Sequence, residues 1–313
     1  MNTKLTLRAL YISLCVWCMC ISDVKAAEGG YSNYVPGTYG DFGSSVEPPT
    51  KWTIRNDYYN YRANGKESVR SGRLELDVDF EVNAHFLTVL YKPGFEIFGG
   101  RYATGIFLPT VVNTDIESGI SVSGSRVARQ DDVTKMGDAT FIPGIFYWRK
   151  ENFHFSFAEY IIIPTGHYDS DSLANTGLNY WTFDTDFSMT YLNEKTGQDY
   201  SVNLGYNYNT ENSDTNYQTG QEIHIDFMVN QFLSESFAVG VHGFYLKQMT
   251  GDSGHGAILG DFKSDAAGMG PALLWSPKKS NGKLSFIAKW LHEYYAKNRL
   301  EGDYVYFSII CSF

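Results

Sequence analysis

The sequence has few cysteines and no long hydrophobic run after its first 26 residues. Three of its four cysteines, Cys15, Cys18 and Cys20, fall within the opening segment, and the fourth is Cys311. No later segment approaches the roughly 18 consecutive apolar residues that a transmembrane helix requires. Patterns with the 3.6-residue period of an amphipathic helix are absent as well. Helical membrane spans are therefore excluded.

The first 26 residues have the pattern of a secretory signal. Lys4 and Arg8 precede an apolar run at 9–21, which is too short for a stable membrane anchor. The signal lacks the small residue that a lipid-attachment box needs before its cysteine. We expect cleavage between Ala26 and Ala27, which leaves 287 residues and Cys311 as the single cysteine. An exported chain with one cysteine has no internal disulfide, so its stability must come from elsewhere.

The mature chain is acidic and rich in aromatic residues. Loss of the signal changes the formal charge from −10 to −12, which argues against nucleic acid as a partner. The full sequence contains 23 Tyr, 21 Phe and 6 Trp, of which only Tyr11 and Trp17 fall in the signal. The remaining classes are a secreted soluble β protein and a barrel in an outer membrane.

Strict alternation of polar and apolar residues runs through much of the chain. In the segment 73–90, one register is apolar and the other carries charged and polar residues, so the pattern predicts one long strand with two unlike faces. We expect the apolar register to face lipid and the polar register to line the lumen of a barrel. The candidate lumen residues from this and two similar segments are Arg73, Glu75, Asp77, Asp79, Glu81, His85, Asn203, Asn207, Glu222, His224 and Asp226.

Twelve strands are predicted, and the lengths of their connections decide the fold class. The predicted strands are 51–62, 73–91, 97–112, 138–148, 152–163, 181–192, 199–209, 221–232, 236–248, 266–276, 284–296 and 303–312. Long polar connections alternate with short turns, and an even number of strands returns the chain to its starting side. This layout is typical of an all-β, antiparallel up-and-down transmembrane barrel. A fourteen-strand alternative would need an extra hairpin within 113–137.

The C-terminal residues support the same class. Phe313 shares a register with Cys311, Ile309, Phe307 and Val305. A terminal aromatic residue on an apolar register resembles the signal that outer-membrane barrels present to the barrel assembly machinery. We therefore expect that machinery and outer-membrane lipid as partners, and a location in the outer membrane of a Gram-negative bacterium.

The segment 27–50, called the leader below, precedes the barrel domain at 51–313. It holds Pro36, Pro48, Pro49 and several glycines, so regular structure is not expected there. Its aromatic residues favour burial over disorder, because disordered segments contain few aromatics. We expect the leader to enter the mouth of the barrel as a plug.

Several sequence stretches resemble one known family. They are the leader EGGYSNYVPGTYGDF, then GDATFIPGIFYW, IIIPTGHYD, NTGLNYWTFDT and NYQTGQEIHIDF. These stretches are similar to the family named for the MetA-pathway of phenol degradation, over nearly the whole mature chain. The resemblance implies an outer-membrane barrel grouped with channels for hydrophobic compounds and often encoded near aromatic-degradation genes. It does not imply catalysis of phenol cleavage.

Catalytic and metal sites are not predicted. Glu222, His224 and Asp226 share one register, but residues two apart on a strand are roughly 6.5–7 Å apart, too far for one ion without help from a neighbouring strand. His154 and Ser156 lack the flanking residues of a lipase motif, and the neighbouring Phe residues turn both toward the lumen. The chain is therefore expected to be neither an enzyme nor a cofactor protein.

Two functions remain open. The first is a channel for passive uptake of small hydrophobic or aromatic compounds across the outer membrane. The second is a sealed structural or surface-interaction barrel without transport. The charged lumen register favours the first, because a purely structural barrel could pack its lumen with fewer charges.

Overall fold

The computed structural model describes residues 32–70, 73–122, 125–258, 260 and 262–313, and their side chains except at 66–70, 73–76, 120–122 and 125–126. The expected cleavage site at Ala26 and Ala27 lies outside these residues. Within the described ranges, no helix is long and apolar enough to cross a bilayer. The strands are β1 (Trp52–Arg70), β2 (Arg73–Tyr91), β3 (Glu96–Ile97), β4 (Gly100–Val122), β5 (Ser125–Lys135), β6 (Ala139–Lys150), β7 (Phe153–Ile163), β8 (Thr182–Asn193), β9 (Gln198–Asn209), β10 (Glu222–Ser234), β11 (Phe237–Gln248), β12 (Asp265–Trp275), β13 (Leu284–Lys297) and β14 (Glu301–Ser312).

Twelve of these strands close into a barrel. Each barrel strand pairs antiparallel with its neighbour in the chain, β2 pairs with β4, and β14 pairs with β1 to complete the ring. The two extra strands are the short β3 and the strand β5, which both pair with β4. The predicted twelve-strand barrel is confirmed. The hairpin considered for a fourteen-strand barrel is formed by the end of β4 and by β5, but β5 does not enter the ring.

Strand β4 serves different partners along its length. Its first part pairs with β6, and its last part, from Val112 onward, pairs with β5. Its pairing with β2 shifts register between His85 and Phe86, beside Pro109. Proline has no backbone N–H to give to a ladder, so it is tolerated at such an irregularity. Beyond the part of β4 that pairs with β6, the sheet therefore continues as the pairing of β4 with β5.

Both ends of the barrel domain meet at the rim that carries the short turns. The Trp52 N–H donates to the Phe313 carbonyl at 3.0 Å, and the Phe313 N–H donates back to the Trp52 carbonyl at 3.0 Å. The opposite rim carries the long connections at 164–181, 210–221 and 249–264. The predicted connection between residues 62 and 73 is wrong, because β1 continues through residue 63 to Arg70.

The exterior and interior of β7–β10 have the expected faces. On β9, Ser201, Asn203 and Asn207 are buried, whereas Tyr200, Val202, Leu204, Tyr206 and Tyr208 are exposed. The same holds on β7, where Phe153 and Phe157 are exposed and His154 and Ser156 are buried. Apolar side chains that are exposed on an isolated barrel wall are those that lipid covers.

Strand β2 is turned the other way, and the sequence prediction for it is wrong. Phe80 and Phe86 are 5% exposed and belong to an interior cluster with Tyr34 of the leader and Tyr304 of β14. Asp77, Asp79 and His85 are exposed on the outer face, and Glu81 on that face is paired with Arg62 of β1 at 3.1 Å. The side chains of Arg73 and Glu75 lie outside the described set.

The length of β2 explains why its acids can face outward. Glu81 is ten residues from Tyr91, which ends β2 at the short-turn rim. At about 3.3 Å per residue and a tilt of about 40°, ten residues rise about 25 Å, the whole height of the apolar band. From Glu81 to Asp77 the outer face therefore meets water and not hydrocarbon. On the inner face, the apolar side chains of β2 pack against the leader and other side chains that fill the lumen, so they are shielded from water.

Candidate functional site in the barrel lumen

The leader lies inside the barrel and is bound to several wall strands. The Gly43 N–H donates to Asp199 Oδ2 of β9 at 2.7 Å, and the Ser45 N–H donates to Thr190 Oγ1 of β8 at 3.0 Å. On the other side, the Tyr306 hydroxyl of β14 donates to the Pro36 carbonyl. An irregular segment has many backbone groups that need partners, and here wall side chains supply them.

A buried group of charges fixes the middle of the leader. Lys289 of β13, which is 3% exposed, donates to Asp41 Oδ1 at 2.7 Å and to the Gly37 carbonyl at 2.5 Å. Arg55 of β1 also donates to Asp41, and it donates to Asp57 at 2.8 Å. Burial by itself raises the pKa of Asp41, but Arg55 and Lys289 more than offset this and hold that pKa well below its ordinary value. Asp41 is therefore ionised at neutral pH when the leader is seated.

The lumen beside the leader is apolar and contains a cavity of about 160 Å³. Its wall comes mainly from β1, β2, β4 and β14 and from the start of the described leader, with further residues from β6, β7 and the long 164–181 connection. The aromatic side chains that line it are Tyr34, Tyr59, Tyr61, Phe80, Phe86, Phe107 and Tyr304. These strands contribute their apolar register to the interior, which gives this half of the lumen its hydrophobic character.

A small number of polar groups border this cavity. Arg299, between β13 and β14, lies 3.8 Å from Glu293 Oε1, which also accepts a hydrogen bond from the Tyr304 hydroxyl at 2.8 Å. Burial lowers the pKa of Arg299, but Tyr304 and Glu293 raise it further, so the net pKa is above its ordinary value. Burial raises the pKa of Asp138, although the backbone N–H groups of Leu178 and Gly166 donate to its carboxylate. An apolar chamber with few oriented polar groups is the usual form of a small-molecule site.

The other half of the lumen, formed by β7–β10, is polar and tightly packed. Asp184 and Asp186 of β8 face His224 of β10, and the shortest distance, from His224 Nε2 to Asp184 Oδ1, is 3.1 Å. Asn203 Nδ2 donates to Asp186 Oδ2 at 3.0 Å. Two leader rings cover the imidazole: Tyr34 stacks at 4.1 Å between ring centroids, and Tyr39 lies at 4.8 Å.

The structure separates the predicted lumen residues into two groups. One group is buried inside the barrel: Asn203, Asn207, Glu222, His224 and Asp226. The residues predicted on β2 are on the outside where their side chains are described, so they do not join the first group. Phe313 is exposed on the outward register with Phe307 and Ile309, and its role in assembly stays a prediction.

Sequence reasoning missed several lumen residues. Asp184 and Asp186 lie in the alternating stretch TFDTDFSMTY, where the same period-2 pattern would have placed them inside with the polar register. Asp41 and Arg55 gave no such signal, because their pairing joins the irregular leader to a strand. Arg299 lies in a connection, where no period applies.

The closed antiparallel barrel, apolar outside and partly polar inside, defines the class of outer-membrane β-barrel proteins, located in the outer membrane of a Gram-negative bacterium. The chain belongs to the family described as "Putative MetA-pathway of phenol degradation", whose model matches residues 60–309. This confirms the family resemblance seen in the sequence.

Solved structures of other outer-membrane barrels are similar to this chain. The COG4313 outer membrane channel from Pseudomonas putida F1 has a TM-score of 0.70 and 14% sequence identity, with 88% of this chain and 100% of that chain covered. A FadL homologue from Pseudomonas aeruginosa has a TM-score of 0.43 and 10% identity, with 92% of this chain and 98% of that chain covered. No curated protein sequence matches this chain. At 14% identity, the first match shows the shared fold.

Proposed function

We propose that this protein is a channel for passive uptake of small hydrophobic or aromatic compounds across the outer membrane. The observation that carries the proposal is the apolar cavity of about 160 Å³ beside the leader. Its size suits a single aromatic ring, since an apolar cavity of about 150 Å³ is known to bind benzene. The strongest polar groups at its border, Asp138 and Arg299, would orient a hydroxyl or carboxyl substituent.

The leader is the plug of this channel in our proposal. Its contacts with β1, β8, β9 and β13 hold it across the lumen. These contacts come from side chains and single backbone groups, and none adds a strand to the barrel. The leader would therefore move or yield without opening the wall.

The proposal is tested by filling the cavity. Ala84 of β2 lines it and is 1% exposed, so Ala84→Phe places a ring where the compound would pass. Leu87→Phe is the matched control, because Leu87 lies on the outward register of the same strand. The measurement is uptake of radiolabelled toluene by intact cells with a complete lipopolysaccharide layer, with heat-modifiable gel mobility as the test of folding.

We expect uptake above the empty-vector level with the unaltered protein and with Leu87→Phe, and uptake near background with folded Ala84→Phe. The second candidate is the sealed barrel, which the extensive hydrogen bonding of the leader favours. Uptake no greater than in the empty-vector cells would reject the channel and leave the sealed barrel.

A further inference from the structure

Four ionisable side chains from two strands that do not pair meet inside the polar half of the lumen. Asp184 and Asp186 lie on β8, and His224 and Asp226 lie on β10. His224 Nε2 is 3.1 Å from Asp184 Oδ1 and 3.6 Å from Asp186 Oδ1. Its other ring nitrogen, Nδ1, is 3.5 Å from Asp226 Oδ2. Each of these side chains is at most 3% exposed.

Gly205 of the intervening strand β9 allows this meeting. It pairs in register with Asp186 on one side and with His224 on the other, and it belongs to the inward register. A Cβ at this position would lie 2.0 Å from His224 Nε2 and 2.3 Å from Asp186 Oδ1. The absent side chain therefore leaves the space in which groups from β8 and β10 come together.

The charges of this cluster are not balanced by its own members. Three carboxylates surround one imidazole, so the group stays negative even when His224 is protonated. Lys289 and Arg55, which also face the lumen, are bound to Asp41. Burying an ionised carboxylate without a compensating partner is costly. Asp186 is 2% exposed, and its Oδ1 atom has no hydrogen-bond partner among the described residues. This oxygen points toward His224 Nε2, 3.6 Å away.

We propose that Asp184, Asp186 and His224 bind one divalent transition-metal ion of the Zn²⁺ type. One oxygen from each carboxylate and one imidazole nitrogen of His224 lie within 4.8 Å of one another. An ion held at about 2.0–2.2 Å in tetrahedral geometry has edges of about 3.3–3.6 Å between its ligands. The distances of 3.1 Å and 3.6 Å from His224 Nε2 to the two carboxylates are close to such edges. An imidazole among the ligands favours Zn²⁺ over Mg²⁺ or Ca²⁺.

The neighbouring groups have the arrangement that orients metal ligands. Asp226 stands behind Nδ1 of His224, which is the carboxylate–histidine–metal pattern that fixes the ring with Nε2 toward the ion. Asn203 donates to the second oxygen of Asp186, and the Asn207 amide, turned with its nitrogen toward Asp184, donates at 2.6 Å. Tyr34 and Tyr39 cover the imidazole from the leader side.

The prediction from sequence considered ligands on a single strand, and there the spacing is too wide. The structure supplies the neighbouring strand, because β8 brings two carboxylates to His224 across Gly205. Of the original trio, His224 is a ligand and Asp226 lies behind it, next to Nδ1. Glu222 lies farther along the same register and is not a ligand in this proposal.

The test uses the mature chain refolded in detergent with Zn²⁺ present, because the seated leader covers the site. After desalting, zinc per chain is measured by mass spectrometry of the element. The variants are Asp186→Asn and His224→Gln, and the control is Glu222→Gln, which alters another buried lumen carboxylate on β10. We expect about one zinc per unaltered or control chain after desalting. In the two variants, the zinc affinity, obtained from the zinc content at a series of Zn²⁺ concentrations, should fall at least tenfold. Asp226→Asn should bind about 10–100-fold more weakly.

Two results would overturn the proposal. The first is a folded, unaltered protein that retains no zinc. The second is zinc retained equally by Asp186→Asn and His224→Gln. If either variant does not fold, X-ray absorption of the zinc-loaded unaltered protein decides, since the site provides one imidazole and oxygen ligands. A spectrum with sulfur, or without imidazole, places the ion elsewhere.

Discussion

Tyr34 of the leader stacks on His224 of β10, with ring centroids 4.1 Å apart and an angle of 22° between the rings. Both residues are almost fully buried, and they lie 190 positions apart in the sequence. Burial, with Asp226 adding to it, raises the pKa of Tyr34, so its hydroxyl stays protonated. The stack connects a segment without regular structure to the wall, and it is one of the contacts that position the leader in the lumen.

Removing this stack should loosen the leader. Tyr34→Ala loses the ring contact, worth about 0.5–1.5 kcal/mol beyond the buried area, so leader exposure should rise by about 2- to 10-fold or more. The measurement is the rate of proteolysis within 32–50 in the folded, detergent-solubilised protein. Tyr58→Ala on the outer face of β1 is the control and should leave that rate unchanged. Equal rates in Tyr34→Ala and the unaltered protein would contradict a role for the stack.

Acid should release the leader through Asp41. Since Arg55 and Lys289 hold the pKa of Asp41 below its ordinary value, its ionised form stabilises the docked state. That contribution is complete above the pKa of the free segment, about 3.9, and is lost as pH falls through the lower docked pKa. We therefore expect this group to cause no loosening between pH 7 and pH 5, and progressive loosening below about pH 4.

The same proteolysis assay, with an acid-active protease at the lower pH values, checks this dependence. Asp41→Asn removes the titrating group and leaves Lys289 buried without its carboxylate, at a cost of about 3–5 kcal/mol. This variant should be loosened already at pH 7 and lose most of the change below pH 4. Loosening of the unaltered protein between pH 7 and pH 5 would assign the dependence to another group.

Substitutions at Phe80 and Asp79 test the orientation of β2, because the sequence pattern placed Phe80 toward lipid and Asp79 toward the lumen, and the structure reverses both. Phe80 points into the lumen cluster and is 5% exposed, so Phe80→Ala should destabilise the barrel by about 3–5 kcal/mol. Asp79→Asn changes an exposed side chain beyond the apolar band, where effects stay within about 0.5 kcal/mol. Urea unfolding followed by heat-modifiable gel mobility measures both, and similar losses would contradict the orientation of β2.

The topology can be checked with inserted tags. A tag after Asp171, an exposed residue of the long 164–181 connection, should be labelled on intact cells. A tag after Lys279, in the turn that contains Lys278–Ser280, should be labelled only after the outer membrane is opened. These two positions lie at opposite rims of the barrel. Labelling of both on intact cells would be incompatible with twelve strands and this placement of the rims.

Strand number was predictable from sequence because it depends on a local property. Alternation and turn residues mark each strand independently, and every barrel strand carries its own copy of that signal. The orientation of β2 was not predictable in this way. Alternation shows which residues share a face, but the face that turns inward depends on what fills the lumen and on where the bilayer ends.

The lumen site was partly predictable for the same reason. Asn203, Asn207, Glu222, His224 and Asp226 were identified because their strands have one apolar face that lipid must cover. The meeting of Asp186 and His224 depends on three strands in register and on Gly205 between them. That register is a long-range property, and no single stretch of sequence contains it.

Deleting residues 28–42 should open a cation-preferring pore. No strand is lost, so the barrel should stay folded, and small-solute conductance should rise because the leader contacts at Pro36 and Asp41 are gone. The exposed lumen then presents Asp184, Asp186, Asp199 and Asp226, which attract cations.

Changing these four aspartates to Asn in the deletion background should reduce the cation preference without closing the pore. Changing Asp77, Asp79 and Glu81 to amides should not alter it, since they lie outside. Planar-bilayer recordings with chelator present measure each step, and a folded deletion protein that conducts nothing would contradict the plug and favour the sealed barrel.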